Sequence, residues 1–263
     1  MAINLKRIQE ALSKIDNPNS YENSDKLVKL GEAKHRIRLV NYKYDLEMPF
    51  NELSFHYQIG GKNFLCPKRT DGSECPICDF GATVWKKFEE TKNEAYKENW
   101  KKFAPKKDVY APIVVRGEEE KGIRLWRINQ GTYKALLTKI SNNMEYGVDI
   151  LDPLNGKDVI VPVIKQTTGR FTFVGPDINA IDLAPVSSPL LKDIEKIKGY
   201  LDVCPNIKDI FKVKPVSEMK KALDEFINPE SENSDLPFDE GTTKDFKKDK
   251  SIDDQFDEIV NNE

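Results

Sequence analysis

The chain has 263 residues, of which 32% are charged, and its mean hydropathy is −0.60. No run approaches the ~20 apolar residues of a membrane-spanning helix, and no apolar stretch follows Met1, so neither a membrane protein nor a secretory signal is expected. Three of the four cysteines lie within residues 66–78. This distribution does not resemble a disulfide framework and favours a reducing compartment.

The net charge of −3 conceals an uneven distribution along the chain. Residues 229–263 contain 12 Asp/Glu and 4 Lys, which leaves 37 Lys/Arg against 32 Asp/Glu in residues 1–228. The body is therefore mildly basic, although the pI of 5.7 taken alone would argue against a nucleic-acid partner.

Periodicity and turn residues predict a mixed α+β chain. Apolar residues at helical spacing before Asn17 predict a short basic N-terminal helix, and low apolar density after Asn228 predicts a disordered acidic tail. Strands are predicted at Arg36–Tyr42, Asp108–Arg116, Gly122–Ile128, Lys157–Lys165 and Arg170–Val174, and helices at Phe80–Tyr96, Thr132–Ile140, around Leu190–Gly199 and at Val216–Ile227. Pro112 suggests an edge or a bulge in its strand. Short, turn-linked strands interrupted by small helices favour a compact β-barrel decorated with helices.

Four potential metal ligands lie close together in the sequence, in an H-x9-C-x8-C-x2-C pattern: His56, Cys66, Cys75 and Cys78. Two residues between Cys75 and Cys78 allow one turn to present both thiolates to one ion. A hairpin through Gly60-Gly61 would bring His56 and Cys66 back towards that turn. Four such donors suit one tetrahedral zinc ion in a closed, structural site. A free dithiol or a disulfide is the alternative.

Basic and aromatic residues are interleaved on three predicted strands or adjoining loops. Lys106 and Lys107 precede Tyr110, Trp126 lies between Arg124 and Arg127, and Arg170 precedes Phe171 and Phe173. Alternation on a strand places Arg124, Trp126 and Ile128 on one face, which suits a platform that stacks bases and pairs with phosphates. The alternative is a core tryptophan flanked by solvated arginines.

Catalytic signatures are scarce. There is no P-loop motif, and the residues after His56 do not follow the zinc-deaminase pattern. With His56 assigned to zinc, His35 is the one other imidazole, and it lies between Lys34 and Arg36. We therefore expect a protein that is not an enzyme.

These features, and their order along the chain, resemble those of the helix-destabilising single-stranded DNA-binding proteins of T-even bacteriophages and their relatives. The resemblance includes the zinc pattern, Tyr110–Val115, Arg124–Arg127, Val163–Gln166 and the acidic tail. It implies an OB-fold-like barrel with an inserted zinc subdomain at about residues 52–100, within a single-stranded DNA-binding core of residues 25–228, and a basic cleft for DNA between barrel and subdomain.

The resemblance also implies roles for individual residues. Trp100, Tyr110 and Trp126 would stack on bases, as would Phe171 or Phe173, while Lys106, Lys107, Arg124 and Arg127 would contact phosphates. Residues 1–24, with Lys6 and Arg7, would mediate cooperative self-association. The tail, residues 229–263, would recruit replication and recombination proteins, and its own lysines dilute its charge. Such a protein acts in the cytoplasm of the infected bacterial host.

Two other functions are compatible with the sequence. The cluster and the tail suit a zinc-containing protein-interaction or transcription-accessory factor. The second possible function is that of an enzyme that acts on nucleic acids through catalytic groups not recognised in the sequence.

Overall fold

The structure is a computed structural model that describes residues 25–169 and 171–228. Contacts between the described residues divide the chain into two compact units. We call them the sheet unit, whose described residues are 25–52, 108–169 and 171–211, and the hairpin unit, whose described residues are 53–107 and 212–228.

The described chain contains both strands and helices, which occur in groups along the sequence. The strands are β1 Leu27–Val28, β2 Ala33–Leu39, β3 Asn51–Ile59, β4 Lys62–Leu65, β5 Lys106–Val115, β6 Arg124–Ile128, β7 Val159–Thr168, β8 Phe171–Pro176 and β9 Asp182–Leu183. The α-helices are α1 Pro67–Thr70, α2 Pro76–Thr91, α3 Glu94–Phe103, α4 Gln130–Glu145, α5 Ile197–Asp202, α6 Ile207–Ile210 and α7 Val216–Ile227. Short 3-10 turns occupy Glu119–Lys121, Ile178–Ala180 and Ile194–Lys196.

The sheet unit is built on a curled half-barrel with the strand order β1-β6-β5-β2-β7-β8. All neighbours in this order are antiparallel except β1 and β6, which run parallel. Together with the helices and a cysteine–histidine cluster, this sheet confirms the predicted α+β class.

The core of the sheet unit explains the near-continuous apolar run of β5. This strand lies between β2 and β6, and its residues from Asp108 to Val115 are all buried. Val109, Ala111 and Ile113 pack in one cluster with residues of β2, β6, β7 and helix α4. A strand covered on both faces needs apolar residues at successive positions, not at alternate ones.

The structure does not place Pro112 on an edge strand, because β5 is paired on both sides. The ladder between β2 and β5 ends where Leu39 pairs with Ile113, the residue that follows Pro112. The Pro112 carbonyl still accepts a hydrogen bond from the Val40 N–H at 3.1 Å. The missing N–H of proline therefore falls where one ladder has ended, which explains how an interior strand tolerates this residue.

A buried ion network ties two loops to the sheet. Arg38 is fully buried and donates from Nε to Asp158 Oδ1 at 2.9 Å and from Nη2 to the Ser188 carbonyl at 2.7 Å. Arg116 donates from Nη2 to the same carboxylate at 2.8 Å and from Nη1 to the Leu190 carbonyl at 2.5 Å. Burial by itself raises the pKa of Asp158, but the hydrogen bonds and charges of Arg116, with the charges of Arg38 and Arg36, hold that pKa below its ordinary value.

The hairpin unit consists of β3, β4 and a group of helices that pack on them. Its core includes Ile59 and Phe64 from the hairpin, Ile77 and Val84 from α2, and Met219 from α7. The predicted helix Phe80–Tyr96 is two helices in the structure. Lys92 takes a left-handed conformation with φ of 57°, and the Asn93 side chain accepts a hydrogen bond from the Ala95 N–H, which starts α3.

The turn of this hairpin requires glycine at Gly60. Its φ is +54°, and a Cβ built there would lie 2.6 Å from the Ala222 carbonyl oxygen of α7. Gly61 has φ of +71°, but its Cβ would meet nothing within 4 Å. Gly60 therefore allows the close approach of the hairpin to α7, while Gly61 serves only the turn conformation.

The remaining sequence-predicted helices are placed as follows. Val216–Ile227 is found with those bounds, and Thr132–Ile140 is the middle of the longer α4. The region around Leu190–Gly199 contains one 3-10 turn followed by the short α5 instead of one helix. In the part of the chain that the structure describes, no helix has both the length and the apolar character that crossing a membrane requires.

Candidate metal centre and nucleic-acid interface

Three local elements of the hairpin unit bring the four predicted ligands together. His56 lies on β3, and its neighbour across the ladder, Phe64, precedes Cys66 at the end of β4. Cys66 is the N-cap of α1, Cys75 is the N-cap of α2, and Cys78 lies in the first turn of α2. Proline follows both capping cysteines and starts each helix with a preset φ.

The distances between ligand atoms fit tetrahedral zinc. Cys66 Sγ lies 4.0 Å from Cys75 Sγ and 3.5 Å from Cys78 Sγ, and His56 Nε2 lies 3.3 Å from Cys75 Sγ and 3.5 Å from Cys78 Sγ. A tetrahedron with Zn–S of about 2.3 Å and Zn–N of about 2.0–2.1 Å has edges of about 3.8 Å between sulfurs and about 3.6 Å between sulfur and nitrogen. All four ligand atoms lie within 4.8 Å of one another, so this arrangement is compatible with a structural zinc site.

The surroundings of the cluster also suit a metal. His56 Nδ1 lies 2.7 Å from the Phe103 carbonyl oxygen; donating there from Nδ1 fixes the ring and leaves Nε2 free to bind an ion. Hydrogen bonds with Cys75 and Cys78 lower the pKa of Cys66 to about 3, and hydrogen bonds with Cys66 and Cys75 raise the pKa of Cys78. Zinc, when bound, would hold all three cysteines as thiolates.

Beside the cluster lies a groove of about 480 Å³. Its lining residues come from three segments of the hairpin unit: Lys68, Arg69, Cys78, Gly81, Ala82, Trp85, Trp100, Phe103, Ala104 and Pro105. The rings of Trp85 and Trp100 have centroids 4.7 Å apart and planes inclined at 55°. Both rings are only partly buried, and Lys68 and Arg69 are exposed. Two aromatic faces beside two cations are a combination that binds bases and phosphates.

Each segment that lines the groove is attached to a metal ligand. Cys66 starts α1, which carries Lys68 and Arg69. Cys75 and Cys78 start α2, on which Trp85 lies two turns further along. The Phe103 carbonyl, which His56 contacts, ends α3, the helix of Trp100. The cluster is therefore the point at which the three segments of the groove are joined.

Residues 31–236 of the chain match a family described as gp32 DNA binding protein like. The chain belongs to this family. No match is found among the curated proteins.

For a member of the gp32-like family, the predicted DNA contacts of the hairpin unit lie at accessible positions. Trp100 lines the groove, and Lys106 and Lys107 are exposed at the start of β5. The Trp100 ring is supported by Trp85, and the Phe103 ring in the same groove meets Phe80 at 4.9 Å. Contact of these side chains with DNA stays a prediction.

The predicted contacts of the sheet unit are more varied in exposure. Trp126 is 4% exposed and belongs to the core, and Tyr110 is 4% exposed with its ring 4.9 Å from that of Phe211. Arg124 is also buried and donates to Glu118 at 2.5 Å. These three side chains therefore do not form an open face. Base stacking on Trp126 or Tyr110 would require the core to open.

Other predicted contacts of the sheet unit lie at its surface. Arg127 is exposed, with its Nε 2.6 Å from Asp108 Oδ2, and Phe173 is 46% exposed on β8. Phe171 pairs with Thr168 at the end of the β7–β8 hairpin. Arg170, Lys6, Arg7 and the tail, residues 229–263, lie outside the described residues.

Trp85, Lys68 and Arg69 were not predicted from the sequence, although a signal for Trp85 was present. Cys78, Gly81, Ala82 and Trp85 follow a spacing of three, one and three residues, which places them on one face of a helix. All four line the groove. A predicted metal ligand and a tryptophan on one face of a helix were therefore the signal that the sequence carried.

Proposed function

We propose that this protein binds single-stranded DNA without regard to sequence, and that it coats and protects such strands during phage replication, recombination and repair in the cytoplasm of the infected host. The observation that supports this most is the groove of the hairpin unit, in which Trp85 and Trp100 lie beside Lys68 and Arg69, in a chain of a DNA-binding family.

Binding would use two contributions of different character. Lys68 and Arg69, with Lys106 and Lys107, would neutralise phosphates and release counterions, which makes affinity fall with salt. Trp85 and Trp100 would stack on bases, and each stacked base contributes roughly 1–3 kcal/mol whatever its identity. Because a duplex hides its base faces, such a site favours unpaired strands and shifts the equilibrium towards them by mass action.

The metal centre would have a structural role. Zinc, when bound, supplies bonds that cross-link His56, Cys66, Cys75 and Cys78. These four ligands, which lie within 4.8 Å of one another, would complete a tetrahedral set and leave no position for a substrate. We therefore propose a binding protein without enzymatic activity.

The two chain ends would add regulation. We propose that residues 1–24, through Lys6 and Arg7, link neighbouring copies along the strand, and that the acidic residues 229–263 recruit replication and recombination proteins. The tail carries 12 acidic residues, so it would also compete with DNA for basic side chains.

A titration with oligo(dT), followed by tryptophan fluorescence over a salt series, tests the function. We expect quenching, micromolar or tighter affinity at low salt, and a steep loss of affinity with salt, while a duplex of the same length competes poorly. The absence of quenching at low salt would refute the proposal and would favour a zinc-containing interaction factor.

A further inference from the structure

The four ligands of the metal centre differ in their exposure. His56, Cys66 and Cys75 are 0% exposed, whereas Cys78 is only partly buried. The same Cys78 lines the groove, on the helix face that carries Gly81, Ala82 and Trp85. Of the four ligands, Cys78 alone lines the groove, so the groove is the side from which a reagent would approach it. The fourth cysteine of the chain, Cys204, is 3% exposed.

We propose that Cys78 is a modification site for soft electrophiles, and that an adduct on Cys78 and a nucleic acid in the groove exclude each other. The inference rests on the proposed binding of DNA to this groove. It makes the groove a point at which thiol-reactive compounds control DNA binding.

The chemistry of the site favours this reaction. A thiolate is both the metal ligand and the nucleophile. Three thiolates exceed the double charge of zinc by one, so the centre is electron-rich. With an activated alkene, a sulfur lone pair of Cys78 forms a bond to the β-carbon, and the displaced π-electrons take a proton from water at the adjacent carbon. The resulting thioether is uncharged and a weaker ligand.

Mutual exclusion follows from the geometry of the groove. A base stacked on Trp85 and Trp100, whose centroids are 4.7 Å apart, would lie over the face that leads to Cys78. Conversely, an adduct on Cys78 would project into the same space and would loosen the start of α2, the helix of Trp85. Nucleic acid would therefore shield the one ligand that reagents reach.

The test uses the full-length, zinc-loaded protein and N-ethylmaleimide, an activated alkene, at less than one equivalent. Peptide mass mapping should find Cys78 modified before Cys66, Cys75 and Cys204, with zinc release at the same rate. At oligo(dT) concentrations about 100 times its Kd, about 1% of the grooves stay open, so modification should slow about 100-fold. A Cys204→Ala variant should give the same profile.

Two further measurements complete the test. Cys78→His keeps a nitrogen ligand without the nucleophile, and its DNA affinity should no longer fall after maleimide treatment. First modification at Cys66, Cys75 or Cys204 in the unaltered protein would overturn the site assignment, whether or not the variant folds. Unslowed modification while anisotropy shows the oligonucleotide bound would overturn the exclusion and leave the proposed function intact. Failure of oligo(dT) to bind would instead reject the proposed function, and the order of modification would still decide the site.

Discussion

Replacing Trp100 by alanine should weaken binding of single-stranded DNA without changing its dependence on salt. The ring lines the groove and meets Trp85 at 4.7 Å, so its loss removes one stacking face and the support of a second. A stacked base contributes roughly 1–3 kcal/mol, which corresponds to a loss of affinity of about 5- to 140-fold. Trp100→Phe keeps an aromatic face and should lose less.

The assay is fluorescence anisotropy of labelled oligo(dT) over a salt series, because removal of a tryptophan alters intrinsic quenching. Trp100→Ala removes no charge, so log K against log salt should keep its slope. Arg69→Ala is the matched control from the same groove, and losing one phosphate contact should reduce that slope by about 0.7. If Trp100→Ala binds as tightly as the unaltered protein, with its melting temperature unchanged, the groove is not a base-stacking site. A changed slope would mean that Trp100 acts through the charges beside it.

Three further predictions concern other parts of the chain. Gly60→Ala should destabilise the hairpin unit and lower its retention of zinc, because the added Cβ would lie 2.6 Å from the Ala222 carbonyl oxygen. Gly61→Ala is the control: this residue also has a positive φ but has open space around it, so the variant should lose only about 1 kcal/mol of stability. Thermal melts combined with zinc analysis measure both effects. Asp158→Asn should lower stability by about 3–5 kcal/mol in denaturant titrations, because the buried Arg38 loses its counter-charge. Because the folded state lowers the pKa of Asp158, the stabilisation is fully present above the ordinary aspartate pKa of about 3.9 and is lost as the pH falls through the folded pKa. The free energy of unfolding of Asp158→Asn should lack this decrease at acidic pH. Removal of residues 229–263 should tighten DNA binding most at low salt, and equal affinities there would leave the tail only a partner-binding or solubilising role.

The sequence predicted the proximity of His56, Cys66, Cys75 and Cys78 well and the exposure of single aromatic residues poorly, for a physical reason. Cys66, Cys75 and Cys78 are linked by short segments, so their spacing alone limits where the sulfur atoms can lie. The exposure of Trp126 depends on distant contacts: it belongs to one buried cluster with Leu136 and Ile140 of α4, and Glu118 pairs with Arg124 on the same strand as Trp126. Strand alternation places residues on faces, but it does not say which face a helix will cover.

The same reasoning applies to the ion network and to the groove. Arg38, Arg116 and Asp158 are far apart in the sequence, and their charges appear ordinary until the fold brings them together. Trp100 is predicted through the family resemblance, whereas its neighbour Trp85 is missed, although its helical spacing from Cys78, Gly81 and Ala82 carries a signal. Local periodicity encodes neither the ion network nor the contact between Trp85 and Trp100, because both join residues from different elements of the fold.

The position of the metal cluster explains how a small unit can hold an open groove. Packing of Phe80 against Phe103 joins α2 to α3 beside the groove. The start of α1, the start of α2 and the end of α3 also meet at the cluster, through Cys66, through Cys75 and Cys78, and through the Phe103 carbonyl that His56 contacts. Bonds to one ion would hold these segments apart at fixed distances and still leave the space between them empty. Since metal and DNA would then stabilise the same arrangement of the walls, each must raise the affinity for the other by the same factor.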